Sequence, residues 1–183
     1  MWALVLLAVL VTSCATPPSA GYSVTQNELH RSGRFSLNVQ KADGSREAVQ
    51  GGFVWSDNGE SLQLDLTNPV GSTMARVLVN PDMAVLERSN GQRELAYTPD
   101  HLVEQVLGSP IPVSGLRSWL HGNTGKPDAS NVENDKDGNL AYFEQHGWRV
   151  QLSRYDSLGP TLIRLNRHGH QGEISVRLAI SGS

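Results

Sequence analysis

Glu173-Ile174-Ser175-Val176-Arg177-Leu178-Ala179-Ile180 alternates strictly, with four branched apolar residues facing one way along an extended chain. A period of two is the signature of a β-strand with one apolar and one polar face. The same rhythm runs through Phe35, Leu37 and Val39; through Val49, Gly51, Phe53 and Trp55; through Leu62, Leu64 and Leu66; and through Trp148, Val150 and Leu152. Antiparallel strands with one wet face follow from it.

Between these runs stand Asp43-Gly44, Asn58-Gly59, Asn90-Gly91 and Asp137-Gly138. Such dipeptides accept the positive φ angles of tight hairpins, so a meandering sheet is expected. The middle of the chain reads differently. Thr98 is placed to cap a helix beginning at Pro99, with Leu102, Val103, Val106 and Leu107 at helical spacing and Gly108 as its terminator. After Pro110-Ile111-Pro112, Ser114 is expected to cap a second short helix with Leu116, Trp119 and Leu120 on its apolar face and Gly122 at its end. A polar loop follows over 123–131. The order is strands, two helices, then strands, a mainly β class with an α component.

The chain has 183 residues, a formal net charge of −3 with both signs interspersed, and one cysteine, Cys14. No basic cluster suits nucleic acid. No disulfide or CxxC site can form within the chain, so stability must come from packing. Cys14 ends a short apolar run, Trp2 to Val11, that is too short to span a bilayer. Val11-Thr12-Ser13-Cys14 resembles a bacterial lipobox. On that reading 1–13 is a signal peptide, Cys14 carries the lipid, 14–27 is a linker, and 28–183 is one domain. The competing reading is a buried N-terminal strand ending in a free core cysteine.

Catalytic signatures are missing: there is no Gly-x-Ser-x-Gly elbow, no P-loop and no dinucleotide fingerprint. Asp135-Lys136-Asp137-Gly138 lacks the remaining ligands of a calcium loop and reads as a hairpin turn. His168-Gly169-His170 has no third ligand at suggestive spacing and reads as a solvent-facing turn. Asp100, in a first helical turn, suits the positive end of the helix dipole. No metal, cofactor or enzymatic activity is expected.

Leu66-Thr67-Asn68-Pro69-Val70-Gly71-Ser72-Thr73 is more informative. Proline at i+1 and glycine at i+3 fit a type I turn, which puts Val70 near the tip where a polar residue is usual. The valine either meets something apolar outside the molecule or folds back onto its own domain.

That segment, together with Gly108-Ser109-Pro110-Ile111-Pro112-Val113-Ser114-Gly115-Leu116-Arg117-Ser118-Trp119-Leu120-His121-Gly122 and Gly147-Trp148-Arg149-Val150 leading to Tyr155, resembles the LolB family of outer-membrane lipoprotein receptors. The likeness spans residues 28 to 180, in order and spacing. It implies a strongly curved antiparallel sheet, an incomplete barrel covered by short helices around an apolar cavity. The implied cavity residues are Phe35, Phe53, Trp55, Leu62, Leu64, Leu66, Leu116, Trp119 and Trp148. It also implies a monomer, lipid-anchored through Cys14 on the periplasmic face of the outer membrane. There it would accept lipoproteins from the periplasmic carrier LolA, shield their acyl chains and insert them into the bilayer, with Pro69, Val70 and Gly71 touching the membrane. The family usually has leucine at this tip; this chain has valine. The alternative is an envelope-anchored scaffold that binds a small apolar ligand or another envelope protein.

Overall fold

The computed structural model describes residues 28–107, 111–125, 127–169 and 172–182. The expectations for the leader 1–13, Cys14, the linker 14–27, the Gly108 terminator and His170 lie outside them. The chain runs β1 (Leu29–Lys41), β2 (Arg46–Asp57), β3 (Leu62–Thr67), β4 (Thr73–Val79), β5 (Ala84–Arg88), β6 (Arg93–Ala96), α1 (Pro99–Leu107), α2 (Val113–Trp119), β7 (Ser130–Asn134), β8 (Leu140–Gln145), β9 (Trp148–Asp156), β10 (Gly159–Gly169) and β11 (Gly172–Gly182). The strands form one antiparallel sheet in the order β6-β5-β4-β3-β2-β1-β11-β10-β9-β8-β7. Its edges, β6 and β7, do not pair. The expected meander is therefore present, interrupted once by the two helices.

All four expected turn glycines adopt positive φ: Gly44 (86°), Gly59 (88°), Gly91 (82°) and Gly138 (86°). A fifth tight turn, His146-Gly147, has positive φ at both residues and joins β8 to β9. No Asn-Gly or Asp-Gly marks it in the sequence.

The sheet curls onto itself. Leu29, Phe53 and Leu62 of the β1–β3 side share one buried cluster with Phe143, Val150, Leu152 and Leu165 of the β8–β10 side, and with Leu116, Trp119 and Leu120. Only strong curvature brings such distant strands together. Val176 and Leu178 of β11 are buried in that cluster, and Ile174 and Ile180 pack against it. Val49 is the exception on its strand. It shares the inward face with Gly51, Phe53 and Trp55, but β3 pairs with β2 only from Gly52 onward, so Val49 overhangs and is exposed.

A second, smaller cluster of Val77, Ala84, Leu86 and Leu102 seats α1 on β4 and β5. Thr98 caps α1 as expected, its Oγ1 accepting from His101 N–H at 3.2 Å. Ser114 does not cap α2. That helix begins at Val113, and the Ser114 N–H donates instead to Asp100 Oδ1 at 2.8 Å. The first turn of α1 thus supplies the acceptor that the start of α2 lacks, which ties the two helices together. A local motif reads the same for a cap supplied by its own serine or by a residue fourteen positions away.

Candidate functional site: the covered concave face and the Val70 tip

Six of the nine implied cavity residues, Phe53, Trp55, Leu62, Leu116, Trp119 and Trp148, belong to the buried cluster. The other three, Phe35, Leu64 and Leu66, are half-buried and pack against it. The structure therefore brings all nine to one concave apolar interior. Helix α2 covers it, and in this state side chains fill it.

Three polar connections hold that cover. Arg117 of α2 donates to Asp57 through Nε (2.7 Å) and Nη2 (2.5 Å), and Nη2 also reaches the Gly59 carbonyl. Burial pushes the Asp57 carboxyl up, but hydrogen bonds from Arg117 and the Gly59 N–H, with the positive charge of Arg117, hold it below the usual carboxylate range. On the other side Trp119 Nε1 donates to Gln145 Oε1 at 3.1 Å, and Gln145 Nε2 donates to Asp128 Oδ1 at 2.6 Å. The Trp119 ring also meets Phe143 edge-on, with centroids 5.6 Å apart. Gly115 makes that indole position possible. A Cβ there would lie 2.6 Å from the Trp119 ring.

Deeper inside, Arg31 is fully buried and forks onto Asp156 through Nη1 (2.6 Å) and Nη2 (2.9 Å), joining β1 to the end of β9 across the curled sheet. Among the described residues, Arg31 Nε and Trp55 Nε1 meet no acceptor. The two residues are cross-strand partners on β1 and β2. Burial pushes the Tyr155 phenol up to about 12, and its hydroxyl donates to the Leu140 carbonyl. Arg31, Asp57, Gln145 and Asp156 carry no sequence signal that sets them apart. A buried arginine on an alternating strand looks like any outward-facing one until its partner strand is known.

The turn between β3 and β4 is built as its residues imply. Gly71 N–H donates to the Asn68 carbonyl at 2.9 Å, closing a β-turn with Pro69 and Val70 in the middle. The Asn68 side chain braces it, with Oδ1 accepting from Val70 N–H and Ser72 N–H, each at 3.0 Å. Val70 is 85% exposed. The alternative in which it folds back into the domain is therefore excluded: a large apolar side chain is held out in solvent by a braced loop.

Residues 27–182 match the family described as outer membrane lipoprotein LolB. The chain belongs to the LolB family. It is 45% identical to the outer-membrane lipoprotein LolB of Bordetella petrii over 98% of this chain and 91% of that one. To the LolB of Cupriavidus metallidurans it is 35% identical, covering 93% and 89% respectively. A more distant likeness, with TM-score 0.45 and 11% identity over 84% of each chain, is to a LolA superfamily protein of Nitrosomonas europaea. Among the described residues no group of three or more histidines, cysteines or acids is placed to hold a metal, and no helix is long and apolar enough to cross a membrane.

Proposed function

We propose that this LolB-family chain accepts lipoproteins from the carrier LolA and delivers them into the outer membrane, holding their acyl chains against the concave face. Its relatives are named outer-membrane lipoproteins, which supports a role in lipoprotein localisation at that membrane. The observation that carries the finer reading is the concave face itself. It is an apolar surface of an unclosed sheet, covered by two short helices that a few polar contacts hold in place.

The physical need is plain. Burying each acyl CH₂ is worth about 0.8 kcal/mol, so a triacylated protein does not cross water alone at useful rates. A cover that lifts would exchange the contacts of Leu116 and Trp119 for contacts with acyl chains. The unpaired Arg31 Nε and Trp55 Nε1 donors then offer partners to the ester or amide carbonyls that link those chains to the cargo. Handover runs downhill when the receptor holds acyl chains more tightly than the carrier and the bilayer holds them more tightly still. Cys14 is the lipid anchor on this reading, 28–183 is the working domain, and the protein acts as a monomer without a catalytic step.

The test is transfer. Mature protein mixed with lipoprotein-loaded LolA should strip the cargo and pass it to liposomes; absence of transfer to either refutes the reading. A Cys14→Ala chain exported behind another signal should still accept cargo, because anchor and interior are separate. The scaffold alternative predicts no transfer and an unchanged lipoprotein distribution on depletion.

A further inference from the structure

A groove of about 660 Å³ lies beside the tip loop, lined by residues from β1, β2 and β11 together with Thr67, Asn68, Pro69 and Gly71. Close backbone packing shapes it. A Cβ on Gly33 would fall 2.2 Å from the Ala179 carbonyl oxygen, and one on Gly51 1.9 Å from that of Thr67.

Its charge is one-sided. Arg34 and Arg177 line it and no carboxylate does, although the chain as a whole has net charge −3. Both side chains are exposed, and among the described residues neither makes an ion pair or a hydrogen bond. Phe35 and Phe53, which pack in the apolar interior, line the same groove. Arg177 is also paired directly across the ladder with Arg164, another exposed arginine without an acid. Like charges directly opposite each other destabilise a sheet, whereas five other arginines among the described residues meet an acid. Arg76 is matched with Asp65, Arg88 with Glu94 and Arg117 with Asp57. Hydroxyl and amide groups of Ser36, Gln50 and Thr67 add to the polar part of the lining.

We propose that this groove binds the phosphate of an anionic phospholipid headgroup. Arg34 and Arg177 supply the charge, while the adjacent Val70 enters the acyl region. The inference rests on the reading of the tip as a membrane contact and adds to it a polar half at headgroup depth. Guanidinium forks suit phosphate oxygens. A groove continuous with Pro69 and Gly71 puts them where headgroups lie once the valine is inserted. The pair would orient the domain on the bilayer and offset the smaller apolar contact that valine makes.

The test measures partitioning of the mature chain, with Cys14→Ala so that no anchor contributes, onto vesicles of phosphatidylcholine alone or with phosphatidylglycerol. Phosphatidylglycerol should strengthen binding. Arg34→Gln with Arg177→Gln should remove that gain, roughly 30-fold at low salt, and leave binding to phosphatidylcholine as it was. Arg149→Gln with Arg154→Gln, an equal change of charge outside the groove, should leave the gain largely intact. Equal losses in the two double variants, or a wild-type gain in the groove variant, would overturn the proposal. So would displacement of the wild type by inorganic phosphate at matched ionic strength, which would mark a site for free anions. Val70→Glu separates the two ideas. If it binds both vesicle types as the wild type does while the groove variant loses only the phosphatidylglycerol gain, the tip reading fails and the groove stands.

Discussion

The α2 cover and the β3–β4 tip are both built around an apolar residue, and they treat it in opposite ways. Trp119 is wholly buried, its ring against Phe143 and its N–H on Gln145. Val70 has no side-chain shelter, yet its loop is held by the Val70 and Ser72 N–H groups donating to Asn68 and by a closed turn. Around the cover, charges are matched: Arg117 with Asp57 and Arg31 with Asp156. Beside the tip, Arg34 and Arg177 have no acid among the described residues. Stability is concentrated in one region and exposure in the other. On the proposed reading, an apolar point held outward needs this division, because an exposed valine contributes little to its own stability.

Five substitutions can break or sharpen that contrast. Trp119→Ala should cost about 3–5 kcal/mol, since it opens a large void and strands the Gln145 carbonyl; a shift in the urea midpoint measures it. A loss below about 1 kcal/mol would mean that the cover is not packed as described. Asp57→Asn should cost roughly 3 kcal/mol by leaving Arg117 without its counter-charge. The same pair predicts acid sensitivity. A carboxyl held low in the folded state stabilises fully above its unfolded value, near 3.8, and loses that contribution as pH falls through the lower folded value. The Asp57→Asn variant should therefore show a shallower acid limb than the wild type in a stability–pH profile.

Gly115→Ala should cost about 1–3 kcal/mol by pushing the Trp119 indole off its seat, seen as a changed near-UV dichroism signal with the fold retained. At the tip, Asn68→Ala should cost only about 1 kcal/mol but raise hydrogen exchange at Val70 and Ser72. Val70→Glu should change stability by no more than about 0.5 kcal/mol. Its effect should fall on delivery: acceptance from LolA stays normal while release into liposomes drops, because a carboxylate at the tip disfavours bilayer contact. Normal release would remove Val70 from the membrane contact.

Much of this was legible in the chain. The alternating runs located the long strands, and four glycine dipeptides located their turns. Each signal is local, since the period of two and the positive φ depend on the residues themselves. The tip was half legible. Asn68-Pro69-Val70-Gly71 spelled a β-turn, but whether the valine pointed out or in depended on where the hairpin ended relative to β2. Ser114 shows the limit from the other side: a second helix does form, but it begins at Val113, and the acceptor for the Ser114 N–H comes from Asp100 of a different element.

By itself, then, the sequence determined the strand and turn order, the placement of the two helices and the family, because these follow from periodicity, backbone preference and motif. Only the tertiary structure decided which residues act together. Curling one sheet onto itself set Arg31 against Asp156, Arg117 against Asp57 and Trp119 against Gln145, at separations of 125, 60 and 26 residues. It also left Val70, Arg34 and Arg177 exposed. Those pairings are long-range, and no local preference of the chain encodes them.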